Sequence, residues 1–175
     1  MKTISLELIK ELRAMTLASI ASCKQALVES EGDLQKAVLL IRRRGLEIAA
    51  KKGERAAKEG RIEAYVHVGS KVGVLLEVDC ETDFVARNTE FCQFTKDVAM
   101  QITALSPTYI KCEDVPEEVL SQEKDKKAYC KAHCLLEQSF IKDPSMTIND
   151  YMGNLLAKFN EKIVIRRFIR YKIGE

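Results

Sequence analysis

Residues 61–78 hold the strongest constraint on the fold. Ile62, Ala64, Val66 and Val68 alternate with Glu63, Tyr65 and His67, and after Gly69-Ser70-Lys71 a second run sets Val72, Val74, Leu76 and Val78 on one face. A period of two belongs to an extended chain, and two such runs around a short Gly-containing turn predict an antiparallel hairpin. Asn88 to about Leu105 then has helical spacing, with Phe91, Phe94, Val98 and Ile102 as its apolar stripe and Pro107 to end it. Near the other end, residues 163–171 (IVIRRFIRY) are rich in strand formers, although their arginines blur the alternation. Strand, strand, helices, strand is an α+β pattern: an antiparallel three-stranded sheet packed with helices.

Helical periodicity governs the first 45 or so residues. Leu8, Ile9 and Leu12 share a face behind a Ser5 cap, and Thr16 is placed to cap a second helix carrying Ile20, Cys23, Leu27 and Val28. Gly32-Asp33 punctuates the chain, because Gly suits a helix end and Asp the next helix start. A third helix through Leu34, Ala37, Val38 and Ile41 is expected to stop at Gly45. The expected domains are a three-helix module over 1–46, an Ala- and charge-rich linker over 47–60, and an α+β core over 61–175. Within the core, Val115-Pro116-Glu117-Glu118 opens an exposed helix to about Leu136. Residues 142–145 read as a loop. Thr147 to about Asn160 reads as a helix with Ile148, Tyr151, Leu155 and Leu156 inward.

Composition narrows the function. At 46% hydrophobic and 31% charged, the 175 residues suit a soluble globular protein. No apolar run approaches the ~18 residues of a membrane span, and the first residues lack a signal-peptide centre. A bacterial-type cytosol is the expected location, with an organelle as the other option. In such a compartment the six scattered cysteines are expected to be free buried thiols. The chain has only two histidines, and His67 reads as a surface residue of the hairpin, so Cys-His and Ser-His-Asp catalysis has little to build on. Cys130, His133 and Cys134 fall within one helical turn, but a structural zinc site wants four ligands and no second pair is close in sequence. Val68-Gly69-Ser70-Lys71-Val72-Gly73 has neither the spacing of a phosphate loop nor a following helix. No catalytic residue, cofactor or metal is expected, and the chain does not read as an enzyme.

Two further features bear on binding. Arg42-Arg43-Arg44, Lys51-Lys52 and Arg166-Arg167 could neutralise phosphates, which gives the alternative reading of a nucleic-acid-associated module. The net charge is only +2, acids are interleaved, and Arg42 to Arg44 close a helix where cations meet its dipole favourably. The second feature is the corner Asp79-Cys80-Glu81-Thr82-Asp83-Phe84-Val85-Ala86-Arg87-Asn88 after the hairpin. Glu81, Thr82 and Asp83 can all cap a helix, with Phe84 tucked inward beneath the cap. The competing reading is a rigid corner that presents a carboxylate and a ring to a partner.

Thr82-Asp83-Phe84-Val85, followed by Asn88 and Phe91, resembles the signature of the elongation factor Ts family. Lys10-Glu11-Leu12-Arg13 with Thr16, Cys23-Lys24 and Ala26-Leu27 is similar to that family's N-terminal module. Gly32-Asp33, Ala37, Gly45 and the following Ala- and Lys-rich run resemble its end and linker, and Ile165-Arg166-Arg167-Phe168 its closing strand. The resemblance implies a ubiquitin-associated-like N-terminal bundle and a guanine-nucleotide exchange factor for elongation factor Tu, bound in its GDP and nucleotide-free states. It implies that Thr82, Asp83, Phe84 and Val85 act at the partner's magnesium site, while Lys10, Arg13, Ile20 and Ala21 grip another face. Compact members of the family imply a homodimer as a further state; neither nucleic acid nor membrane is implied. The chain departs from the family in three ways. Thr16-Leu17-Ala18-Ser19-Ile20-Ala21 replaces a Gly- and Met-containing loop, the core is single, and residues 117–137 look shortened.

Overall fold

The computed structural model describes residues 4–16, 18–51 and 56–175. Leu17 and linker residues 52–55 lie outside the described residues, as do the side chains of 46 and 48–51. The chain forms two compact units, one of Met1–Ala56 with Asp150–Ile163 and the other of Ala57–Asn149 with Val164–Glu175.

The first unit is helical. Helix α1 spans Leu6–Thr16, α2 Ile20–Glu29 and α3 Leu34–Lys51. Ile9, Leu12, Cys23, Ala26, Leu27, Ala37, Val38 and Ile41 form one buried cluster. The Leu8 amide donates to the Ser5 hydroxyl at 3.2 Å, as the capping pattern predicts. Thr16 does not cap α2. It is the last residue of α1, and its hydroxyl donates back to the Leu12 carbonyl at 2.8 Å. Ser19 caps α2 instead, accepting from the Ser22 amide at 3.1 Å. Gly32, at φ 87°, closes the end of α2 by donating to the Leu27 carbonyl, and Asp33 accepts from the Lys36 amide to start α3.

Helix α3 runs through Gly45 rather than stopping there. The reason is a close backbone approach by helix α8, Ile148–Phe159. A Cβ on Gly45 would run into the Gly153 carbonyl, so the absence of a side chain at Gly45 lets the two helices meet. Ala157 of α8 packs against the same buried cluster.

The second unit is built on a sheet. Strands β1 (Glu59–Val66) and β2 (Val72–Cys80) pair antiparallel, with Glu63 opposite Leu76, and β5 (Ile163–Lys172) lies on the other side of β2. The α+β class and the three-stranded sheet follow the sequence pattern. The face of β1 does not. Ile62 is 68% exposed and Ala64 and Val66 are also outward, while Glu63 is 6% exposed on the covered side with Val74, Leu76 and Val78. The register puts Glu63 on that side, and the carboxylate is satisfied there. It accepts from Arg61 Nε at 2.8 Å and from the Thr95 hydroxyl at 3.0 Å.

Thr95 belongs to α5 (Thr89–Leu105), which covers this face with Phe91, Phe94, Val98 and Ile102 fully buried. Between Cys80 and α5 sits a single turn of helix, α4 (Asp83–Ala86). The expected exposed helix to about Leu136 is two short ones, α6 (Glu117–Gln122) and α7 (Lys126–His133). Asp125 breaks the run by capping α7 through the Lys127 and Ala128 amides, both at 3.0 Å. The expected loop at 142–145 is part of a small hairpin, β3 (Ser139–Phe140) with β4 (Asp143–Thr147). No helix among the described residues is long and apolar enough to cross a membrane.

Candidate functional site

The corner after β2 is held from several sides. The Cys80 thiol donates to the Thr82 carbonyl at 3.1 Å, and Thr82 is extended, at φ −130° and ψ 152°. Its hydroxyl accepts from the Val85 amide at 3.4 Å, so Thr82 rather than Asp83 is the capping group. Backbone bonds from Ala86 to Thr82, Arg87 to Asp83 and Asn88 to Val85, at 3.2, 3.0 and 3.0 Å, close the turn. Asn88 then starts α5 by accepting from the Glu90 amide at 2.9 Å. A third side is held by the Cys92 thiol, 3.6 Å from the Ala86 carbonyl.

One turn of helix has two sides, and the sequence fills them differently. Val85, at 7% exposed, and Ala86 turn inward and anchor α4. Phe84 turns outward and is 84% exposed, the most exposed aromatic ring among the described residues. Asp83 stands beside it. Its partner in the turn is Arg87, at 3.3 Å, a surface pair too well solvated to hold the carboxylate strongly. A ring tucked beneath the cap is therefore not what the chain adopts. An exposed phenylalanine gains nothing for the isolated fold, whereas the backbone under it is tightly bonded.

In the first unit Lys10 and Arg13 are exposed along α1, and Ile20, 57% exposed, and Ala21 stand at the start of α2. Cys23, below them, is buried, which pushes its thiol up against the smaller opposing effects of Thr16 and Arg13. It is a packing residue.

The arginine clusters are engaged locally. Arg42 lies 3.7 Å from Asp150, Arg43 3.5 Å from Glu47 and Arg44 2.5 Å from Glu29. Arg166 pairs with Asp79 at 2.7 Å and Arg167 with Glu77 at 2.5 Å. These carboxylates reduce what the same arginines could offer to a phosphate backbone.

The cysteines are not all free thiols. Cys112 and Cys130, with Cα atoms 5.7 Å apart, are paired as a disulfide, and the Cys134 sulfur lies within 4.8 Å of both. His133, grouped with Cys130 and Cys134 by spacing, is not part of this cluster. Its ring stacks on Tyr129 at 4.3 Å between centroids. Cys112 does not stand out in the sequence as a partner because it lies 18 positions before Cys130. Burial first, then the carboxylates of Glu137, Asp114 and Glu113, push the Cys134 thiol up and make it a poor nucleophile.

These features define a two-unit α+β protein with a helical N-terminal bundle and an outward carboxylate-and-ring turn at the end of a hairpin. The sequence profile described as Elongation factor TS matches residues 2–129. Elongation factor Ts of Caldanaerobacter subterraneus subsp. tengcongensis is 45% identical over 195 aligned positions, covering 98% of both chains. The Thermotoga neapolitana protein of the same name is also 45% identical, again over 98% of both, and that of Desulfosudis oleivorans 42% over the full length of both. The chain belongs to the elongation factor Ts family and is a translation elongation factor.

Proposed function

We propose that this chain binds elongation factor Tu and speeds release of GDP from it, acting as a guanine-nucleotide exchange factor rather than as an enzyme. The observation that carries the proposal is the Asp83-Phe84 pair, outward on a turn closed by three backbone hydrogen bonds and the Thr82 cap. A partner cleft that admits this corner receives an apolar wedge and a negative charge together. The ring separates side chains, and the carboxylate competes for or repels the groups that coordinate magnesium and phosphate. Thr82 and Val85 hold the turn in shape while this happens. Lys10, Arg13, Ile20 and Ala21 supply a second grip from the helical unit.

Magnitudes require that second grip. Accelerating release ~10⁴-fold takes about 5.5 kcal/mol of differential interaction, whereas burying one phenylalanine gives roughly 1.5–3 kcal/mol. The wedge therefore acts together with contacts elsewhere. The outer sheet face, where Ile62, Leu75 and Ile169 are exposed, is apolar surface of the kind that partners or a second copy of the chain cover. Coupling of this sort is reciprocal: GDP weakens the factor's hold by the same factor by which the factor weakens GDP. The test is release of fluorescent GDP from elongation factor Tu with and without the chain. An unchanged rate at saturating protein overturns the proposal.

A further inference from the structure

Cys112, Cys130 and Cys134 bring three sulfurs within 4.8 Å of one another. Cys130 and Cys134 stand one helical turn apart at the end of α7, and Cys112 reaches them from the short turn that precedes α6. A disulfide uses two of these sulfurs and leaves the third without a task, although Cys134 is completely buried beside the pair. We propose that in the reduced chain the three sulfurs form a site for a thiophilic divalent cation of the zinc type. With three protein donors, the fourth position would be left to water.

The surroundings explain what such an ion would do. The helices α6 and α7 are six and eight residues long, too short to persist by helical propensity. They are gathered around a satellite cluster in which only Val115, Cys130 and Cys134 are buried, with Tyr109, Val119, Leu120 and Tyr129 partly so. A core this small needs a staple, which a disulfide or a metal can supply. The metal is the staple compatible with a reducing compartment, and the only one that employs all three sulfurs. Three protein ligands plus an open position is a recognised zinc arrangement, and thiolate is a preferred donor for that ion.

The two states exclude each other. A dithiol reductant passes two electrons and two protons to the Cys112–Cys130 bond, leaving two thiols here and a disulfide on the reductant. The ion then binds three thiolates while three protons pass to water, so occupancy falls with acidification.

The test uses the full chain, reduced with a phosphine under anaerobic conditions, given Zn²⁺, desalted and analysed for metal. About one zinc ion per chain is expected. None is expected when the Cys112–Cys130 bond is oxidised first or in Cys112→Ser, while Cys92→Ser retains the ion. Substitution with Co²⁺ should give a thiolate-to-metal charge-transfer band in the unmutated chain, a readout that does not depend on any variant folding. Absence of metal and of that band in the reduced chain overturns the proposal. So does equal zinc in the oxidised chain or in Cys112→Ser.

Discussion

Replacing Phe84 by alanine separates what the ring does for the fold from what it does for a partner. In the free chain the ring is 84% exposed, so almost none of its hydrophobic free energy is used internally. Complete burial of a phenylalanine is worth about 1.5–3 kcal/mol, and scaling by the open fraction leaves about 1.3–2.5 kcal/mol to be realised on docking. If that energy is expressed where nucleotide leaves, its loss slows assisted GDP release by about 10- to 70-fold. Stability should change by no more than about 0.5 kcal/mol, because an exposed side chain is removed and the turn's backbone bonds remain. Stopped-flow release of fluorescent GDP at saturating factor gives the first quantity, and urea denaturation of the free variant gives the second. A release rate within two-fold of the unsubstituted chain, from a variant that unfolds at the same urea concentration, refutes the wedge. A marked loss of stability also refutes the reasoning, since it places the ring inside the fold.

Other consequences can be checked separately. Arg13→Ala should weaken assembly with elongation factor Tu more than it slows release from the preformed complex, which titration against release kinetics resolves. Gly45→Ala, a change that favours an ordinary helix by about 1 kcal/mol, should instead destabilise the helical unit. Its Cβ meets the Gly153 carbonyl, and overpacking of this kind costs roughly 1–3 kcal/mol in a denaturant titration. Glu63→Ala removes the shared partner of Arg61 and Thr95 on a covered sheet face and should cost about 1–3 kcal/mol, with Glu63→Gln recovering part of it. The Lys36 amide first, and then the Lys36 charge, hold the Asp33 carboxyl below its ordinary range against partial desolvation. Its stabilising effect is therefore present above the unfolded carboxylate range and lost as pH falls through the folded value. Asp33→Asn should flatten that part of the pH–stability curve while keeping the cap.

The sequence makes local chemistry readable and leaves facing ambiguous. The hairpin, the α5 helix, the Gly32-Asp33 punctuation and the closing strand are each set by near neighbours, and each stands where its residues suggest. Which side of β1 is covered is decided by the register against β2 and by Arg61 and Thr95, the latter 32 residues from Glu63. Alternation gives the two faces but not their order, and an ion-paired glutamate won the inner one. Gly45 has the same lesson. A glycine near a helix end reads as a stop, yet its meaning here comes from Gly153, which no local pattern connects to it.

The corner combines both kinds of information. Capping by Thr82 is local and legible, whereas the direction of Phe84 follows from Val85 and Ala86 taking the inner side of a turn that has only two sides. Four residues of helix have no stability of their own, so the outward ring depends on the neighbours that fix the turn: Cys80 bonded to the Thr82 carbonyl, Cys92 beside the Ala86 carbonyl, and Asn88 starting α5. A mobile loop would lose ordering entropy on insertion into a partner, and that loss would come from the same few kcal/mol that the ring supplies. If the corner acts as proposed, rigidity in the thiol-lined frame and exposure of the ring are two halves of one device, each of little use without the other.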